Sequence, residues 1–74
     1  MADTMLVMDY RLVDVLNADQ LEVGDLIGYG DEVVEIIEIA PIKNGFALVI
    51  KNDFDEKDEI EIGDFEQFEL FIYA

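Results

Sequence analysis

The sequence predicts a mainly β fold, a small five- or six-stranded barrel with one short helical turn near residues 18–21, built as a single domain over residues 1–74. Three observations predict it. The apolar runs are short and rich in β-branched and aromatic residues, which suits pleated strands. Gly, Asn and Asp separate those runs at close intervals, as tight turns require. A sheet of such short strands hides its edges by closing on itself.

The elements follow in order. Met5 to Leu16 mixes Met, Leu, Val and Tyr with Asp9, Arg11 and Asp14 in an imperfect alternation, and reads as the first strand. Asn17 and Gln20 have the spacing of a capping box, so one helical turn follows. Leu21 and Val23 are placed to plug the barrel beneath that turn, and Gly24 offers a permissive backbone before a strand opens at Leu26 and Ile27. Gly28-Tyr29-Gly30-Asp31 reads as a loop or tight turn.

Val33-Val34-Glu35-Ile36-Ile37-Glu38-Ile39 fits helical spacing as well as a bulged strand. Its length and branching decide for a strand, which Pro41 is expected to stop. A β-hairpin across Asn44-Gly45 then leads into Phe46 to Ile50. Asn52 to Asp58 reads as a polar loop, Glu59-Ile60-Glu61-Ile62 as an alternating strand and Gly63-Asp64 as a turn. Phe68 to Tyr73 is the closing strand. On it Phe68, Leu70 and Ile72 share one face and Glu69, Phe71 and Tyr73 the other, so Phe71 and Tyr73 are expected outside the core.

Charge is the second signal. Nineteen acidic residues stand against four basic ones, a net charge of -15, divided almost evenly between the two halves of the chain. The carboxylates are interleaved with apolar residues, which argues for a folded acidic surface rather than a disordered tail. Asp53 to Glu69 is the densest stretch. Like charges on a small fold repel one another and destabilise it. A domain this short buries only about 60% of its unfolded surface, so its stability margin is thin and a partner would help.

Leu21-Glu22-Val23-Gly24-Asp25-Leu26-Ile27, the acidic hairpin after it, Gly45-Phe46 through Asn52-Asp53, and the late Ile60-Glu61-Ile62 together resemble the small SH3-like β-barrel proteins common in bacteriophage genomes. The resemblance spans most of the chain and implies an SH3-like barrel of phage origin. It carries over no functional residues. The Leu-x-Val-Gly-Asp turn also occurs in self-splicing Hint modules, whose catalytic Cys and His are missing here.

Most enzyme classes are excluded by composition. Ser, Cys and His are absent and Thr4 is the sole aliphatic hydroxyl, so no imidazole-activated nucleophile can be assembled. Without Cys there are no disulfides or thiolate metal sites. Asp53 to Asp64 has carboxylates at the first, third, ninth and twelfth positions of a calcium loop. Lys57 nevertheless occupies a ligand position and Asp58 the position of the obligatory Gly, so the loop motif is rejected. Gly28-Tyr29-Gly30 lacks the following helix and basic residue of a phosphate cradle. Arg11, Lys43, Lys51 and Lys57 cannot offset the carboxylates in front of a polyanion, so no direct nucleic-acid contact is expected. No catalytic, metal or cofactor site is assigned.

The expected function is that of a non-enzymatic acidic interaction module whose partner is a basic protein surface. Asp53, Asp55, Glu56, Asp58, Glu59, Glu61, Asp64, Glu66 and Glu69, beside Phe71 and Tyr73, form the candidate binding residues. One version is a nucleic-acid mimic whose carboxylates, with Glu35 and Glu38, imitate phosphates and block a host or viral enzyme. Another is a structural or oligomeric virion component, with a homodimer on the terminal strand. With no apolar run of the roughly 20 residues a membrane span needs, the expected location is the cytoplasm, of the host cell if the protein is viral.

Overall fold

Alternation and turn chemistry generate six strands in the computed structural model, which describes residues 10–73. They are β1 (Tyr10–Asn17), β2 (Leu26–Tyr29), β3 (Glu32–Ile42), β4 (Gly45–Lys51), β5 (Lys57–Gly63) and β6 (Gln67–Tyr73). One 3-10 turn, Ala18–Gln20, follows β1. This is the mainly β architecture that the sequence predicts. The strands form one antiparallel sheet in the order β1-β6-β2-β3-β4-β5. The last strand is thus inserted between the first and second, pairing Leu16 with Phe68 on one side and Ile27 with Leu70 on the other. β1 and β5 are the two ends of the sheet, and no ladder joins them among the described residues.

One face of the sheet carries the core: Ile27, Val34, Ile36, Leu48, Ile50, Ile62 and Phe68, closed over by Ala18 and Leu21 from the 3-10 turn and its exit. Ile27, Ile36 and Leu48 are completely buried. The backbone N–H of Asn17 donates to Gln20 Oε1 at 2.9 Å, the capping contact that the spacing predicts. This turn brings Ala18 and Leu21 onto the core.

Several expectations are corrected. Val23 is 63% exposed and does not join Leu21 in the plug. It sits in the turn ahead of Gly24, whose φ of 96° reverses the chain before β2. Gly28 and Tyr29 belong to β2 rather than to a loop, and the turn is Gly30-Asp31, with Gly30 at φ 62°. Positive φ at the first central residue of a two-residue hairpin is the type II′ pattern.

Pro41 does not stop β3, which runs on to Ile42. Beyond Glu35 the β2 side of β3 is no longer laddered, so a residue without an N–H is tolerated there. The pairing of β3 with β4 shifts register between Ile36 and Glu38, leaving Ile37 as the extra residue. That bulge is the reason for the paired apolars in Val33 to Ile39: Val34 and Ile36 face the core before it, and Ile39 packs on the core after it. The hairpin predicted across Asn44-Gly45 lies one residue earlier, at Lys43-Asn44, with Asn44 at φ 66°. Gly45 opens β4, where a Cβ would run into the Ile62 carbonyl oxygen of β5. Lys57 and Asp58, read as loop, begin β5. The part of the predicted first strand from Met5 to Asp9 lies outside the described residues.

Candidate functional site

The face of the sheet opposite the core collects carboxylates. In β5, Ile60 and Ile62 point toward the core, so Glu59 and Glu61 point away. Glu59 lies across from Val49, which in turn lies across from Glu38 of β3; Glu61 lies across from Ala47. Glu35 is across from Lys51, and Lys51 from Lys57. Glu35, Glu38, Glu59 and Glu61 therefore share one three-stranded face with Lys51, Lys57 and the small apolar Ala47 and Val49. Such rows are held by ladder hydrogen bonds rather than by mobile loops.

At one end of this face the β4–β5 loop is organised by Asn52. Its Oδ1 accepts from the backbone N–H groups of Phe54 and Glu56 at 2.9 and 3.0 Å, and its Nδ2 donates to Glu56 Oε1 at 2.9 Å. Asp55 adopts φ 63°, a conformation Asp tolerates better than most residues. Lys51 Nζ lies 3.7 Å from Asp55 Oδ1 and 4.0 Å from Glu35 Oε1. These exposed pairs contribute little stability.

Across from the loop, the Tyr10 hydroxyl donates to Asp53 Oδ1 at 2.8 Å, joining residues 43 positions apart. Tyr10 also packs against Tyr73, ring centroids 5.3 Å apart and tilted by 35°. Burial first, then the hydrogen bond to Asp53 and its charge, push the Tyr10 phenol well above the usual tyrosine range. The result is a concavity of about 270 Å³ with Tyr10 and Tyr73 on one wall, Asp53 and Asp55 on the other, and Leu26, Val33, Glu35 and Lys51 between them.

The candidate residues thus separate into groups. Asp53, Asp55 and Tyr73 converge on that concavity. Glu59 and Glu61 lie on the carboxylate face. Asp58 and Glu56 border a different concavity with Tyr29 and Glu32, on the core side of β5. Asp64 and Glu66 occupy the β5–β6 turn, about 20 Å from the β4–β5 loop at roughly 3.3 Å per strand residue. Glu66 Oε2 accepts from the Gly63 N–H at 2.6 Å, so that carboxylate closes its own turn. Glu69 is exposed on β6. Phe71 lies outside the core, as expected, and is half-buried on the opposite face: a Cβ on Gly28 would lie 3.3 Å from its ring, so the missing side chain of Gly28 makes room for it. Ile72, expected inside, is exposed.

Tyr10 and Lys51 are members of the site that sequence reasoning missed. No local signal marks Tyr10, because its partner Asp53 is brought near only by the curvature of the whole sheet. Phe54 and Phe65 stand exposed at the two turns, each between acidic residues. Among the described residues, no group of three or more carboxylates converges to hold a metal ion, and no helix is long and apolar enough to cross a membrane. Compared with known proteins, the chain matches no protein family model, no curated protein and no solved structure.

Proposed function

We propose that this domain is a non-enzymatic interaction module that docks a positively charged protein surface on the acidic face of β3, β4 and β5. The observation that carries the reading is the grouping of Glu35, Glu38, Glu59 and Glu61 on one outward face of a chain with net charge -15. Held on strands, these carboxylates are ordered before a partner arrives, which lowers the entropic cost of binding. Ala47 and Val49 between them give the stems of Lys and Arg side chains an apolar surface to lie on.

Within this reading the domain is phage-encoded, in keeping with its resemblance to phage SH3-like proteins, and works in the host cytoplasm. A nucleic-acid-mimicking inhibitor is the second reading. It is favoured by Glu59 and Glu61, two residues apart on a strand and so about 6.7 Å apart along it, close to two 3.4 Å steps of a DNA strand. Capture of basic proteins on the immobilised domain, followed over a salt gradient, tests the proposal. Capture should weaken steeply as salt rises and disappear in the triple variant Glu38→Lys, Glu59→Lys, Glu61→Lys. Capture that is indifferent to salt would sink both readings. Captured proteins that are nucleic-acid enzymes, inhibited on binding, would favour the mimic.

A further inference from the structure

The concavity of about 270 Å³ at the end of the acidic face has a lining that selects its ligand. Tyr10 and Tyr73 make one wall and Asp53 and Asp55 the other, with Glu35, Lys51, Leu26 and Val33 between them. Three carboxylates against one ammonium leave the site two charges negative, which disfavours anions. The carboxylates do not converge: among the described residues, no group of three or more could hold a metal ion. A small hard cation needs several oxygens at about 2.0–2.6 Å and finds none so arranged. Oxygens set apart around aromatic rings suit a broad organic cation, which a ring face attracts through its quadrupole.

The aromatic wall is prepared for that contact. The Tyr10 and Tyr73 rings lie 5.3 Å apart and tilted by 35°, nearer to stacked than to edge-on, and Tyr73 is 58% exposed. The Tyr10 hydroxyl donates to Asp53 Oδ1 at 2.8 Å, which fixes the ring against the carboxylate wall and enriches its face in electron density. A cation is already drawn to the site: Lys51 Nζ lies 3.7 Å from Asp55 Oδ1 and 4.0 Å from Glu35 Oε1. Both distances exceed the about 2.7–2.9 Å of a charge-assisted hydrogen bond, so this internal ammonium is held loosely and can be displaced. A partner's guanidinium fits better than another ammonium, because it is planar, stacks on a ring and donates to carboxylates in its own plane. Its stem would run over Leu26 and Val33. Sites for whole small molecules run from about 300 to 1,000 Å³, so this smaller volume suits one side chain.

We propose that this concavity is a socket for one arginine side chain of the basic partner. The inference rests on the reading that the acidic face docks a basic protein, and it names the point at which that face reads a particular residue. One side chain binds weakly by itself. The socket therefore sets where on the partner the face lands, while the rows of carboxylates supply most of the attraction. Lys51 is the internal competitor, replaced when an arginine brings two parallel hydrogen bonds to a carboxylate.

NMR titration of the full chain with a capped Gly-Arg-Gly peptide tests the proposal, at about 0.15 M salt, where charges more than about 8 Å away are screened. The peptide should shift the ring signals of Tyr10 and Tyr73 saturably and leave those of Tyr29 in place. The matching lysine peptide should bind about threefold or more weakly, and the neutral citrulline peptide should cause no shift. Asn keeps an oxygen for the Tyr10 hydroxyl and tolerates the positive φ of residue 55, so the double variant Asp53→Asn, Asp55→Asn should stay folded. It should bind the arginine peptide about tenfold more weakly, whereas Lys51→Met should bind it about twofold or more tightly. No saturable shift, equal binding of the lysine or citrulline peptide, unchanged affinity in the folded double variant, or weaker binding by Lys51→Met would each overturn the socket. Salt-sensitive capture of basic proteins with no response to the arginine peptide removes the socket alone. Peptide binding by a wild type that captures no basic protein supports the socket and removes the face alone.

Discussion

The β1 edge and the β5 edge end the same sheet, and they are built for different neighbours. Both use an aspartate to occupy the backbone donor of the next residue: Asp14 Oδ1 accepts from Val15 N–H at 2.8 Å, and Asp58 Oδ1 from Glu59 N–H at 2.9 Å. This removes a donor that another strand would use. What surrounds the device differs. On β5, Lys57, Asp58, Glu59 and Glu61 leave an edge that repels another copy of this chain. On β1, Leu12, Val13 and Val15 surround a neutral pair of charges. The comparison teaches that blocking a backbone donor and repelling a neighbour are separable: β5 does both, whereas β1 blocks the ladder but leaves its side chains available for packing.

The sharpest way to break this comparison is to weaken the core that positions both edges. Leu48→Ala empties a fully buried site and should cost about 2–5 kcal/mol, read as a shift in the denaturant midpoint. On a domain this small that loss leaves little of the fold. Gly45→Ala should cost about 1–3 kcal/mol, because the new methyl meets the Ile62 carbonyl of the adjacent strand and forces β4 and β5 apart. Loss of the carboxylate face would follow, since its rows depend on that pairing.

A smaller effect tests the link between the two regions. Tyr10→Phe removes the hydroxyl that joins β1 to the β4–β5 loop and should cost about 1 kcal/mol or less. The phenol of Tyr10 is pushed up, so the folded chain holds its proton at a pH where the unfolded chain has lost it. Its contribution is complete below the unfolded value of about 10 and is lost as pH rises beyond it. A spectrophotometric titration should show the Tyr10 phenol ionising late in the wild type, a step that Tyr10→Phe should remove. Smallest is Val15→Ala, on the solvated edge, where stability should change by about 0.5 kcal/mol or less.

Strand positions were legible in the sequence wherever local chemistry sets them. The β-branched run of β3 and the alternation of β5 read directly. The bulge at Ile37 was visible as paired apolars, although only the register with β4 shows which residue is extra. Pro41 reads as a stop in the sequence alone, because its tolerance depends on the β2 ladder ending at Glu35, a fact of topology. Val23 and Leu21 look alike as apolar residues in one turn, and only packing separates them. For the site, composition announced the acidic surface and alternation implied that Glu59 and Glu61 share a face. Their grouping with Glu35 and Glu38 required the pairing of three strands. The contact of Tyr10 with Asp53 was not legible at all, because it arises from sheet curvature between residues distant in sequence.

The account rests on a division of labour between an acidic face that binds a basic protein and a neutral edge that does not. The direct test measures capture of basic proteins at low and high salt by three chains: wild type, the face variant Glu38→Lys, Glu59→Lys, Glu61→Lys, and the edge variant Val15→Lys. The account predicts salt-sensitive capture by the wild type and the edge variant, and none by a folded face variant. Capture retained by the face variant, or unmoved by salt, would contradict it.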